Sequence, residues 1–213
     1  SLARWIEQYG LAEREKRGRI NTGSSLVGKR LDELPLRAAG VNLLAIERGT
    51  GFAAEVLRPT AQTELHVNDV LLADIDTSHD GANECWQSLN LEPRPLGEIG
   101  NYFADRSQEI GAAEVILPAE SALIGQTVRE ARIRSEYGLT VIGVRHGNNV
   151  VTHGLPEERL KVGDTLLLFG FWSDIAELQS HTEDVVVLNM PLELEEVLPA
   201  ARRAPHALAV LAL

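Results

Sequence analysis

The chain repeats itself, and no other feature restricts its fold as much. Ser24-Ser25-Leu26-Val27-Gly28 returns 97 residues later as Ser121-Ala122-Leu123-Ile124-Gly125, and Leu31, Leu34 and Leu36 return at the same offset as Val128, Ala131 and Ile133. Glu33 matches Glu130, and Arg37 matches Arg134. After one extra residue in the second copy, Gly40-Val41-Asn42-Leu43-Leu44-Ala45-Ile46 aligns with Gly138-Leu139-Thr140-Val141-Ile142-Gly143-Val144. A third block aligns Leu65-His66-Val67-Asn68-Asp69-Val70-Leu71-Leu72 with Leu160-Lys161-Val162-Gly163-Asp164-Thr165-Leu166-Leu167. Three blocks in one order define two copies of a single unit. A unit of roughly 75 residues buries only a modest share of its unfolded surface, so one copy gains stability by pairing with another.

The repeated positions have physical readings. Asn68 stands where the other copy has Gly163, and Asn and Gly are the residues that most easily take a positive φ, so the swap predicts a structural turn at Asn68-Asp69 and Gly163-Asp164. The aspartate of each pair accepts from turn amides as the chain enters a buried strand, Val70 to Ala73 or Thr165 to Phe169. Apolar residues three apart predict short helices over Lys29–Leu34 and Gln126–Ala131, the first cut off by Pro35. Ser173 reads as the N-cap of a further helix through Leu178, and Asp80 to Ser88 reads as its counterpart. Leu139, Val141, Ile142 and Val144 are apolar at near-consecutive positions, which predicts a strand covered on both faces. The fold class is therefore α/β (α+β), two tandem copies each with a small sheet and short helices.

The layout sets the boundaries. Residues 1–23 read as an N-terminal linker with a first strand in its charged segment, 24–92 as the first domain and 93–111 as a linker with the composition of Pro93, Pro95 and Gly97. Residues 112–188 read as the second domain, opening on the strand Glu114–Leu117. Residues 189–213 read as a linker running into an apolar end, Ala207 to Leu213, behind Arg202-Arg203. That order matches the cytoplasmic entry to a membrane helix or a short core helix.

Charge and composition exclude some functions. A net charge of −11 opposes binding to nucleic-acid phosphates. One cysteine, Cys85, cannot form an internal disulfide. Gly23 to Lys29 has Walker A spacing, but Arg30 replaces the magnesium-binding hydroxyl residue and the equivalent stretch of the second copy carries Gln126 in place of the lysine. Gly49-Thr50-Gly51 imitates a dinucleotide fingerprint, yet Pro59 would interrupt the helix that motif requires. The histidines, among them His146, His153 and His79, fit no zinc spacing and read as surface residues. Neither a metal site nor a catalytic constellation is evident, and the expectation is a non-enzyme; the competing class, a soluble nucleotide-binding domain or enzyme, rests on the two glycine near-matches alone.

The aligned blocks resemble the TrkA-C (also called RCK-C) domain pattern, in which Ser-x-Leu-x-Gly and a short helix precede an aliphatic strand, a turn and a Leu-x-x-Gly-Asp-x-Leu-Leu strand. The second copy carries that pattern through Ser121, Leu123, Gly125, Thr127, Arg145, Gly147, Leu160, Gly163 and Asp164. The first copy departs from it at Lys29-Arg30 and Asn68. Such domains occur in potassium transport regulators and, as tandem copies, in the cytoplasmic part of bacterial transporters of the sodium:dicarboxylate/sulfate symporter type. The resemblance implies a regulatory, ligand-sensing module at the cytoplasmic face of the bacterial inner membrane. Its partners would be the transmembrane part of the same transporter and a second copy or second chain, with no nucleic acid. No cofactor is evident, although some family members bind cyclic di-AMP between paired domains. By resemblance that site would fall on Val141, Ile142, Arg145, Asn149 and Val150, with Arg145 meeting a phosphate.

Overall fold

The computed structural model describes residues 2–49, 54–94, 109–180 and 183–189. Most of the 93–111 linker, most of the glycine loop after Gly49 and the apolar C-terminal run lie outside the described residues.

Each copy folds into one antiparallel five-stranded sheet, and the two sheets have the same topology. In the first copy β1 (Glu15–Arg19), β2 (Val41–Arg48), β3 (Glu55–Leu57), β4 (Val70–Ile75) and β5 (Glu92–Pro93) lie in the order β3-β2-β4-β1-β5. In the second, β6 (Ile110–Ile116), β7 (Thr140–His146), β8 (Asn149–Val151), β9 (Thr165–Phe171) and β10 (Val186–Asn189) lie in the order β8-β7-β9-β6-β10. Register confirms the equivalence strand by strand: Arg17 sits opposite Leu72 as Glu114 sits opposite Leu167, and Glu47 opposite Val70 as Arg145 sits opposite Thr165. β1 is the first strand expected in the charged segment before residue 24, and β6 begins at Ile110, inside the stretch the sequence layout gives to the 93–111 linker.

The two sheets share an irregularity. Pairing with β4 skips Leu44, between Leu43 and Ala45, and pairing with β9 skips Ile142, between Val141 and Gly143. These are the same position in the repeat. A bulge of this kind inserts one unpaired residue and redirects the side chains around it. It therefore accounts for the near-continuous apolar run: Leu139, Val141 and Val144 enter the core of their own copy, while Ile142 turns to the opposite face.

Each copy has its own core. Ile20, Leu36, Leu43, Ile46, Leu65, Leu71 and Ile75 anchor the first, and Val115, Leu117, Leu139, Val144, Leu160, Leu166 and Leu168 the second. The turns before β4 and β9 are built alike. Asn68 has φ 69° and Gly163 φ 78°. Their amides donate to Ile20 and Leu117 carbonyls, both at 2.9 Å. Asp69 accepts from the His66 amide at 2.8 Å, and Asp164 from the Lys161 amide at 2.7 Å.

The helices differ from the sequence reading. Lys29–Leu34 holds only a single 3-10 turn, Leu31–Glu33, and Gln126–Ala131 forms turns. Their amides are engaged elsewhere: Leu31 and Asp32 donate to Thr63 and Ala61 carbonyls, and Val128 and Arg129 to Glu158 and Pro156 carbonyls. A segment whose donors bond to a neighbouring loop cannot also close an i→i−4 ladder. Among the described residues the α-helices are α1 (Leu2–Gln8), α2 (Leu11–Arg14), α3 (Ala82–Ser88), α4 (Ile133–Tyr137) and α5 (Trp172–Leu178). In α5, Ser173 lies inside the first turn, and Phe171 occupies the cap position without a side-chain cap.

Candidate regulatory interface between the two copies

A third apolar cluster belongs to neither copy alone. Leu44, Ala45, Val56 and Leu72 of the first sheet meet Ile110, Ala112, Ile142, Leu167 and Phe169 of the second, with Trp5, Tyr9 and Leu11 of the N-terminal segment among them. Three repeat positions appear twice, as Leu44 and Ile142, Val56 and Val150, and Leu72 and Leu167. One face of each sheet thus covers its own core and the other is buried against the sister sheet, with the bulge residues Leu44 and Ile142 at the junction.

The N-terminal segment is the wedge in this junction. Tyr9 is fully buried, and its hydroxyl donates to Glu114 at 3.1 Å. Burial, and then the Glu114 charge, push the phenol up to about 12. Its ring lies directly on Gly143, where an added Cβ would come within 2.3 Å of Tyr9 Cδ1. Glycine stands here because the ring approaches the backbone so closely. Five residues on, Arg14 is 2% exposed and bonds to both copies: Nη2 to Asp74 at 2.6 Å and Nη1 to the Ile142 carbonyl at 3.0 Å. Asp74 is paired in register with Glu15. Burial raises both carboxyls, and the charge of Asp74 adds to the rise of Glu15, which reaches about 8.

Around this centre the two copies carry opposite charges at equivalent positions. Arg17 pairs with Glu47 at 2.6 Å in the first copy, and the same two positions hold Glu114 and Arg145 in the second. The rim is tied from both sides. Arg134 of α4 donates to Asn42 Oδ1 at 2.8 Å and to the Leu43 carbonyl at 2.9 Å, and burial with Arg37 nearby lowers its pKa to about 10. Arg58 is paired with Asp174 and stacks over Phe171. On the other rim the Gly154 amide donates to Asp76 at 3.2 Å. A cleft of about 370 Å³ lies along the Arg58 and Arg134 rim, with Glu177 and Asp174 also in its lining.

The five residues expected to hold a ligand do not share one face. Ile142 lies in the inter-copy cluster with Val150 packed at its edge, Val141 points into the core of its own copy, and Asn149 is exposed at the start of β8. Arg145 donates to the Gly147 carbonyl at 2.8 Å and to Thr165 Oγ1 at 3.0 Å. Among the described residues no group of three or more His, Cys, Asp or Glu is placed to hold a metal ion.

His146 is not a free surface residue. Nδ1 lies 2.7 Å from Asp164 and Nε2 2.9 Å from Glu158. Partial burial works against the charged ring, but the two carboxylates outweigh it and raise its pKa. Arg48 occupies the equivalent strand position and grips Asp69 with Nε at 2.8 Å and Nη2 at 2.7 Å. Each copy therefore ties its turn aspartate to a cation at the end of the aliphatic strand.

The TrkA-C domain model matches twice, at residues 19–79 and 112–182. The chain belongs to the TrkA-C family. That family has a regulatory, non-catalytic fold, which sets aside the enzyme alternative. The chain is similar to an uncharacterized transporter, YfbS, of Escherichia coli, with 37% identity over 209 residues that cover 98% of this chain and 34% of that protein. It is also 38% identical over 96 residues to an uncharacterized transporter, sll0640, of Synechocystis, covering 45% of this chain and 16% of that protein. The chain thus spans about a third or less of these transporters. Among solved structures, the RCK C domain of the potassium transport protein KtrA in complex with cyclic diadenosine monophosphate aligns over 41% of this chain and 99% of its own, at 22% identity and TM-score 0.34. Among the described residues no helix is long and apolar enough to cross a membrane.

Proposed function

We propose that this TrkA-C pair is the regulatory module of a bacterial ion or anion transporter, held at the cytoplasmic face of the inner membrane, and that it acts by biasing the attached transport helices through the relative placement of its two copies. The similarity over 98% of the chain to a transporter of which the match covers 34% supports the setting. The observation that carries the mechanism is the inter-copy junction, where Arg14 joins Asp74 of one copy to the Ile142 carbonyl of the other. A module that transmits a bias needs two arrangements close in free energy, and a junction of buried charges and a glycine-seated ring can be rearranged by small changes in charge or volume.

A ligand of the cyclic di-AMP class is the second part of the proposal. Ile142, Arg145 and Val150 are the members of the expected set on or beside the junction, and Tyr9 occupies the space above Gly143. A ligand entering there would displace Tyr9 and separate the sheets. The test is ion or anion flux through the full-length transporter in proteoliposomes, with and without cyclic di-AMP, in wild type and Gly143→Ala. Altered flux in the variant is expected. Identical flux in both proteins under all conditions would contradict the regulatory reading.

A further inference from the structure

Copy 1 places an acidic pair where copy 2 is apolar. Glu15 and Asp74 lie directly opposite each other on β1 and β4, and the equivalent pair on β6 and β9 is Ala112 and Phe169, both in the inter-copy cluster. Sheet position and packing therefore do not require acids there. Both carboxyls are buried, and Arg14 is the one cation in hydrogen-bond contact with either among the described residues. The other charged groups nearby lie further out: Asp76 on the extension of β4, His153 of copy 2 beside it, and Arg134 of copy 2 on Asn42, the β2 neighbour of Asp74. Two buried carboxylates with one guanidinium between them retain one negative charge too many, so one carboxyl keeps its proton.

We infer that Glu15, Asp74 and Arg14 form a proton-operated latch between the two copies, closed when Glu15 is protonated and loosened when it ionises. The geometry supplies the linkage. Arg14 Nε is buried without an acceptor among the described residues, while Nη1 holds the Ile142 carbonyl at the bulge of copy 2. An ionised Glu15 competes for the guanidinium, and any rotation toward it withdraws Nη1 from Ile142. The raised position of Glu15, about 8, puts the change in the mildly alkaline range. The latch rests on the reading that inter-copy placement is what the module transmits, but its test needs no transport.

The experiment is a carbon-13 NMR titration of the Glu15 carboxyl in the purified chain, run alongside amide exchange at Ile142 and Gly143. The Glu15 midpoint is expected near 8, and junction protection should fall roughly tenfold between about pH 7 and pH 9 after correction for intrinsic exchange. Glu15→Gln should remove that fall. Asp74→Asn should bring the Glu15 midpoint down, because Arg14 then serves Glu15 alone. A wild-type midpoint at the ordinary glutamate value of about 4.3 would overturn the latch, and it can be read even where a variant fails to fold. A protection loss unchanged in Glu15→Gln would overturn it as well. Flux measurements on the full-length protein remain a separate test of the regulatory reading.

Discussion

The guanidinium of Arg14 donates to the carbonyl of Ile142 at 3.0 Å, across 128 residues of sequence and from one TrkA-C copy to the other. That carbonyl belongs to the residue that the bulge leaves out of the β7–β9 register, so the arginine is seated on the bulge itself. The same side chain neutralises Asp74.

Removing Arg14 should therefore be severe. Arg14→Met leaves Asp74 charged and unpaired in a buried site, and loss of one partner of such a pair costs about 3–5 kcal/mol. Urea unfolding measures it. Because the acid is the problem, Arg14→Met combined with Asp74→Asn should recover a large part of the loss, and a purely additive double variant would count against the pairing.

Gly143 and Tyr9 are expected to be coupled. A methyl at 143 meets the ring, so Gly143→Ala should cost about 1–3 kcal/mol as an overpacking change. In a Tyr9→Ala background the methyl has room, and the cost of Gly143→Ala should shrink to well under that. Thermal unfolding of the four proteins of this cycle supplies the comparison.

Ile142→Glu puts a carboxylate into the apolar junction, where Ile142 is 2% exposed. Loss of more than about 3 kcal/mol or failure to fold is expected from an unpaired charge at such a site. Val27→Glu, on the exposed turn at 39% accessibility, serves as the control and should change stability by less than about 0.5 kcal/mol.

The His146 clamp gives a pH dependence of known sign. Its folded-state pKa is raised, so its contribution is complete below the unfolded histidine value and disappears as pH rises through the folded value. His146→Arg reproduces the Arg48–Asp69 arrangement of the first copy and should remove that dependence, leaving the variant more stable than wild type by about 1 kcal/mol at mildly alkaline pH. Urea midpoints at acidic and alkaline pH provide the check.

The repeat was legible because turn and strand positions recur as residue types: Leu-x-x-Gly-Asp or Leu-x-x-Asn-Asp, then four residues entering a buried strand. Two sheets of one topology follow from it. The two-turn helices at 29–34 and 126–131 were misread, since apolar spacing of three also suits a turn whose amides bond to a loop far along the chain. The junction was the least legible part. The charged segment at the end of residues 1–23 reads as a first strand, but nothing in its composition shows that Arg14 and Glu15 are buried. Two signals were present. Trp5 and Tyr9 stand four apart on one helical face, and Gly143 interrupts an aliphatic strand where the first copy has Ala45.

Face-to-face packing of the two copies around the N-terminal segment can be read from a nuclear Overhauser contact between the Tyr9 ring and the Gly143 α-protons in the intact chain. A strong cross-peak is expected, since the ring carbons lie against the Gly143 backbone. Its absence in a folded chain whose two sheets give their own internal contacts would mean that the copies are independent, and the regulatory interface would be contradicted.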